Sequence, residues 1–103
     1  MSARSYYSAT IKEFLSTYEN TIIGEMALQH PFDLNDVTKA SWLSEIRILK
    51  RELKDIPDGH ISLEFQIPRM GKRVDAVVAN DGILFLLEFK DGDTEYRSST
   101  FKQ

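Results

Sequence analysis

Residues 69–90 read R-M-G-K-R-V-D-A-V-V-A-N-D-G-I-L-F-L-L-E-F-K, and the fold assignment grows from them. They are legible as two strands joined by the tight turn Asn80-Asp81-Gly82. In the second strand, Ile83, Phe85, Leu87 and Phe89 alternate with Leu84, Leu86, Glu88 and Lys90. Both faces are apolar until the last residues, as in a central strand covered on both sides. A carboxylate and an ammonium at the end of such a strand are costly to desolvate unless they bind something. Asp75 lies across the turn, so hairpin pairing can bring its carboxylate towards that of Glu88. Two adjacent carboxylates repel, and a divalent cation between them removes the repulsion. The residues therefore suggest a metal site with Lys90 beside it. Ordinary ion pairs of Asp75 and Glu88 with Arg73 and Lys90 are the competing reading.

Upstream, Pro57-Asp58-Gly59 is a turn that launches a strand over 61–67. Alternation there puts Ile61, Leu63, Phe65 and Ile67 inward and Ser62, Glu64 and Gln66 outward. Glu64 could be a further acidic ligand, although alternation favours a solvated residue. Pro68 to Arg73 is a basic loop whose Arg69, Lys72 and Arg73 could hold a phosphate backbone; a polar loop tip accounts for them equally well. Before the turn, Trp42, Ile46, Leu49, Leu53 and Ile56 fall on one stripe of a helix over 37–56. Arg47, Lys50, Arg51 and Lys54 gather opposite, as a solvated surface or, less simply, a phosphate-contacting face. Asn35 or Asp36 caps this helix. Residues 1–36 read as a helical lead-in. Thr10-Ile11-Lys12-Glu13 forms a capping box, with Ile11, Phe14, Leu15 and Tyr18 on the apolar side. Asn20 caps a second short helix through Ile22, Ile23, Met26 and Ala27, ending near His30-Pro31.

Asp75, twelve intervening residues and Glu88-Phe89-Lys90 resemble the D…E-x-K signature of the PD-(D/E)XK nuclease superfamily. The run from Glu64 to Lys90 is similar to the amino-terminal nuclease domain of bacterial proteins fused to a schlafen-group helicase or ATPase. That resemblance implies a mixed α/β, restriction-endonuclease-like core: amino-terminal helices, then a three-stranded β-meander over 60–90. It implies Mg²⁺ or Mn²⁺ held by Asp75, Glu88 and the Phe89 backbone carbonyl, with Lys90 positioning or deprotonating the attacking water. A glutamate on the preceding helix often supports such a site; Glu45 is the best-placed match and Glu25 the second, although an exposed Glu45 paired with a neighbour such as Lys50 fits the sequence too. The implied activity is metal-dependent phosphodiester hydrolysis, with DNA as the expected partner and a helicase or ATPase domain following in a longer protein.

The core of that family is completed by a further helix and a fourth strand. Residues 91–103 have no room for both, although a helix could begin around Ser98 and carry Gln103 towards the site. A fragment of a longer protein, a homo-oligomer that supplies the missing layer, or a degenerate remnant would each account for this, and the fragment is the reading preferred. A domain that keeps the fold but only binds nucleic acid, or only assembles, is the alternative to an enzyme.

Composition sets the outer bounds. A chain of 103 residues with 28% charged and 42% hydrophobic residues suits one globular domain with a modest core. The formal charge of −3 means that nucleic-acid contact must come from a local basic patch. With no cysteine and two isolated histidines, His30 and His60, disulfides, thiolate chemistry and a His-rich metal site are excluded. No apolar run reaches membrane-spanning length and the polar start lacks a signal-peptide core, so the expected location is the cytoplasm and no membrane partner is expected.

Overall fold

The computed structural model describes residues 4–30, 35–56, 58–89 and 96–102. Among the described residues three helices, α1 (Ile11–Ser16), α2 (Glu19–Gln29) and α3 (Asp36–Leu53), accompany one antiparallel sheet. Its strands β1 (Tyr7–Thr10), β2 (His60–Ile67), β3 (Lys72–Asn80), β4 (Ile83–Phe89) and β5 (Tyr96–Lys102) lie in chain order. The mixed α/β class is as expected, but the sheet has five strands where the sequence reading had three.

Both additional strands replace expected helix or tail. The lead-in is not wholly helical, because Tyr7–Thr10 pairs with β2, from Tyr7 opposite Leu63 to Thr10 opposite His60. Thr10 then serves twice, closing β1 and capping α1. Its hydroxyl accepts from the Glu13 backbone N–H at 3.0 Å, and the Glu13 carboxylate accepts from the Thr10 N–H at 3.0 Å. The stretch expected to begin a helix at Ser98 is instead β5, antiparallel to β4 from Ile83 opposite Lys102 to Phe89 opposite Tyr96. Gln103 lies outside the described residues.

The helices follow their apolar spacing more closely. Asn35 caps α3 by accepting from the Thr38 N–H at 2.8 Å, and Trp42, Ile46, Leu49 and Leu53 form its buried stripe. The helix ends at Leu53, so Ile56 packs from the connection and only partly buried. Tyr18, not Asn20, is the N-cap of α2, makes no side-chain cap and is largely exposed.

The helices' buried residues join Ile61, Leu63, Ala76, Val78 and Leu87 in one core, so the layer they form covers one sheet face. Phe14, Ile11, Ile22, Ile46 and Ile61 are fully buried within it. Burial of each such side chain contributes roughly 1.5–3 kcal/mol. Leu84 and Leu86 alternate with the core-facing residues of β4, remain half-buried and take no part in this core. The strand is central in its ladders but not covered by helices on both faces.

Alternation in β2 holds through Leu63 and then breaks. Glu64 has φ +52°, in the left-handed region that non-glycine residues rarely occupy. Its neighbours still pair, Leu63 with Ala76 and Phe65 with Val74. Phe65 and Ile67, expected inward, are only half-buried and lie outside the helix-facing core, as does the buried Val74.

Candidate functional site

The kink at Glu64 turns its carboxylate to the helix side. There Trp42 Nε1 on α3 donates to Glu64 Oε1 at 3.0 Å. Glu64, Asp75 on β3 and Glu45 on α3 line one small cavity with Trp42, Met26 and Leu63. Its volume of about 10 Å³ is near the space a single water or bare cation occupies. Glu45 is half-buried and accepts from Ser41 Oγ at 3.2 Å. The structure thus brings together Glu45 and Asp75, as the sequence suggested, and adds Glu64, which alternation had placed in solvent. The exposed Glu25 is not among the cavity's lining residues.

Asp75 sits where β3 and β4 part. The last ladder pair is Ala76 with Leu87, and beyond it Asp75 Oδ2 accepts from the Phe89 N–H at 2.6 Å. A carboxylate receiving a backbone N–H is fixed in place. Glu88 is exposed and does not line the cavity; its register partner on β5 is Arg97. Phe89 is half-buried against the core, and its N–H rather than its carbonyl makes the contact with Asp75. Lys90 lies outside the described residues.

Burial pushes the Glu64 carboxyl above the usual carboxylate value, and the nearby charge of Asp75 adds to the rise. The Trp42 hydrogen bond, Arg73 and His30 act in the opposite direction. Arg73 donates to the Glu64 carbonyl at 3.2 Å and places its guanidinium 4.6 Å from the centre of the Tyr6 ring. Tyr6, His30 and Trp42 meet edge to face with centroids 5.7–6.0 Å apart. A layer of aromatic and cationic groups therefore flanks the acidic cavity. Arg69, in the β2–β3 turn with φ +69°, and Lys72, at the start of β3, are exposed at the same sheet end as Arg73.

The basic face of α3 has structural work. Arg47 makes a two-pronged contact with Glu19 on α2, at 2.9 and 3.1 Å. Lys50 Nζ donates to the Phe14 and Thr17 carbonyls at 2.6 Å each, closing the end of α1. Arg47, Arg51 and Lys54 are exposed, as the solvated-surface reading expects, and only Lys50 has an internal role that neither reading anticipated.

Hard carboxylate oxygens suit Mg²⁺ or Mn²⁺. Among the described residues no three His, Cys, Asp or Glu side chains already stand in cation-holding geometry. The donor chemistry fits such an ion, and the three carboxylates would draw closer around it.

No protein family matches the chain, and no curated protein or solved structure is significantly similar to it. The functional reading therefore rests on the residues themselves. Among the described residues no helix is long and apolar enough to cross a membrane.

Proposed function

We propose that the chain is a metal-dependent nuclease domain, hydrolysing phosphodiester bonds in nucleic acid, with DNA as the substrate the motif resemblance favours. The observation that carries this reading is the meeting of Glu45, Glu64 and Asp75 around one cavity beside the strand end that bears Arg69, Lys72 and Arg73.

In this reading Asp75 is the central ligand, oriented by the Phe89 N–H, and Glu64 and Glu45 complete an oxygen donor set for Mg²⁺ or Mn²⁺. Such an ion lowers the pKa of a bound water and offsets charge on the scissile phosphate. Glu64, raised in proton affinity by burial and by the charge of Asp75, would be favoured in its ionised form by a cation neighbour. Arg69, Lys72 and Arg73 hold the phosphate backbone from the adjoining turn and strand. The E-x-K resemblance assigns the ion to Glu88 and the Phe89 carbonyl with Asp75 instead, which is the rival donor set that titration of Glu88→Gln separates, and it assigns to Lys90 the positioning of the water or the balancing of developing charge. A helicase or ATPase domain in the same polypeptide belongs to the same proposal.

One observation favours a second reading, an assembly or binding module: Glu88 is exposed and does not line the acidic cavity.

Calorimetric titration of Mn²⁺ and Mg²⁺ into the wild type and into Asp75→Asn, Glu64→Gln and Glu88→Gln separates these readings, with cleavage of labelled single- and double-stranded DNA followed in parallel. The nuclease proposal expects metal binding that Asp75→Asn abolishes and Glu64→Gln weakens in folded protein. Loss on Glu88→Gln with none on Glu64→Gln restores the set implied by the resemblance. No metal binding to the wild type refutes the enzyme and leaves the module.

A further inference from the structure

An arginine beside carboxylates ordinarily pairs with one of them. Arg73 does not. Among the described residues it makes no ion pair, although its charge is felt at the Glu64 carboxyl. Its guanidinium lies over the Tyr6 ring, 4.6 Å from the centroid, and donates to the Glu64 backbone carbonyl at 3.2 Å. Both anchors are neutral, so they fix the fork without cancelling its charge. Arginine has five N–H donors, and the exposed Arg73 keeps donors beyond the one spent on Glu64.

Tyr6 is itself tied down. Its N–H donates to the Leu63 carbonyl at 2.9 Å, and the Arg4 carbonyl accepts from the Gln66 N–H at 2.7 Å, so residues 4–6 strap the chain on both sides of the Glu64 kink. Its ring meets His30 and Trp42 edge to face, each with centroids 6.0 Å apart. Arg73 and Asp75, two apart on β3, share a face, with Cα atoms about 7 Å apart. By the same alternation Lys72 falls on the other face with Val74, which is buried outside the helix-side core. Arg69 stands exposed in the turn. Of the three cations at this end of the sheet, Arg73 is the one held in place on the cavity's side.

Resting on the metal-dependent nuclease reading, we infer that Arg73 binds the non-bridging oxygens of the phosphodiester at the acidic cavity, with Tyr6 as its positioning residue, once a divalent cation is bound there. A guanidinium fork matches two phosphate oxygens, which a lysine ammonium does not. Without a cation, Glu45, Glu64 and Asp75 repel a phosphate brought to Arg73. A divalent ion offsets most of that repulsion. The dependence is mutual, because bound phosphate raises metal affinity by the factor by which metal raises phosphate affinity. Arg69 and Lys72 attract flanking phosphates with or without the ion.

Stopped-flow anisotropy of a short labelled DNA strand reads binding before turnover, in Mg²⁺ and in EDTA at matched ionic strength. The wild type should bind more tightly in Mg²⁺. Arg73→Lys, which keeps the charge but not the fork, and Tyr6→Leu should each lower the affinity in Mg²⁺ about ten-fold, with little change in EDTA. Tyr6→Phe, which keeps the ring, should restore most of the loss. Arg69→Gln should weaken binding by the same factor in both buffers. Circular dichroism checks that each variant is folded. Metal binding that leaves DNA affinity unchanged, or enhanced binding that Arg73→Lys and Tyr6→Leu both leave intact, overturns this inference alone. A wild type that calorimetry shows to bind no Mg²⁺ overturns the nuclease reading and this inference together.

Discussion

Replacing Lys50 with Met tests whether the basic face of α3 belongs to the fold or to a ligand. Met keeps the length and packing of the stem and removes only the ammonium. In the structure that ammonium donates to the Phe14 and Thr17 carbonyls at 2.6 Å and lies 4.8 Å from the Phe14 ring centre. Burial holds the Lys50 ammonium below the usual lysine value, with Glu19 opposing the shift, so the charged form already bears a desolvation cost. A hydrogen bond to a charged group is worth about 1.5–3 kcal/mol where solvent is excluded. Here the group is largely within reach of water and the freed carbonyls can be rehydrated, which reduces the net loss to about 1–2 kcal/mol. For a domain of this size that corresponds to a fall in Tm of roughly 5–15 °C. Thermal unfolding followed by circular dichroism gives the shift, and fluorescence anisotropy with labelled DNA gives binding in the same samples. An unchanged Tm together with a several-fold loss of DNA affinity would refute the structural assignment and return Lys50 to the phosphate-contacting face.

Two further expectations concern the turn and the acidic cavity. Gly59 has φ +129°, and a Cβ there would stand 2.5 Å from the Ala79 carbonyl oxygen and 2.9 Å from Ile11 Cδ1. Gly59→Ala should therefore cost about 2–4 kcal/mol in urea unfolding; a loss below about 1 kcal/mol would show that the turn relaxes freely. For Glu64 the folded carboxyl binds its proton more tightly than the unfolded one. Its contribution to stability is thus fully present below the unfolded glutamate pKa and is lost as pH rises through the elevated folded value. In metal-free buffer Glu64→Gln, which can still accept from Trp42, should remove that fall and unfold at higher urea than wild type at neutral pH. A variant less stable than wild type at neutral pH contradicts the desolvation argument.

The parts of the molecule set by local pattern were readable in the chain. The stripe Trp42, Ile46, Leu49 and Leu53 has helical spacing, and Asn80-Asp81-Gly82 marks its turn by composition, so α3 and the β3–β4 hairpin followed directly. The capping box at Thr10 was equally local. β1 escaped notice because four residues are too few to show a period, and because its last residue is also the start of α1. β5 escaped because Arg97 to Thr100 carry little apolar pattern, and the strand exists through its ladder with β4. At the candidate site, Glu45 and Asp75 were visible as an acid on the apolar edge of a helix and an acid at a strand end. Glu64 was not. Its inward turn depends on a left-handed backbone, which alternation does not anticipate in a glutamate, and on Trp42, twenty-two positions earlier.

The Trp42–Glu64 hydrogen bond has an optical consequence. The chain contains one tryptophan, and its indole N–H is committed to a carboxylate that shares a cavity with Asp75 and Glu45. Indole emission responds to the charge and polarity around the ring, so under excitation that the four tyrosines do not absorb, the emitted light originates beside the acidic cavity. Protonation of Glu64, or a cation drawing its carboxylate away, changes the field at that one chromophore. The molecule thus carries a built-in dye for its own site, read without label or substrate.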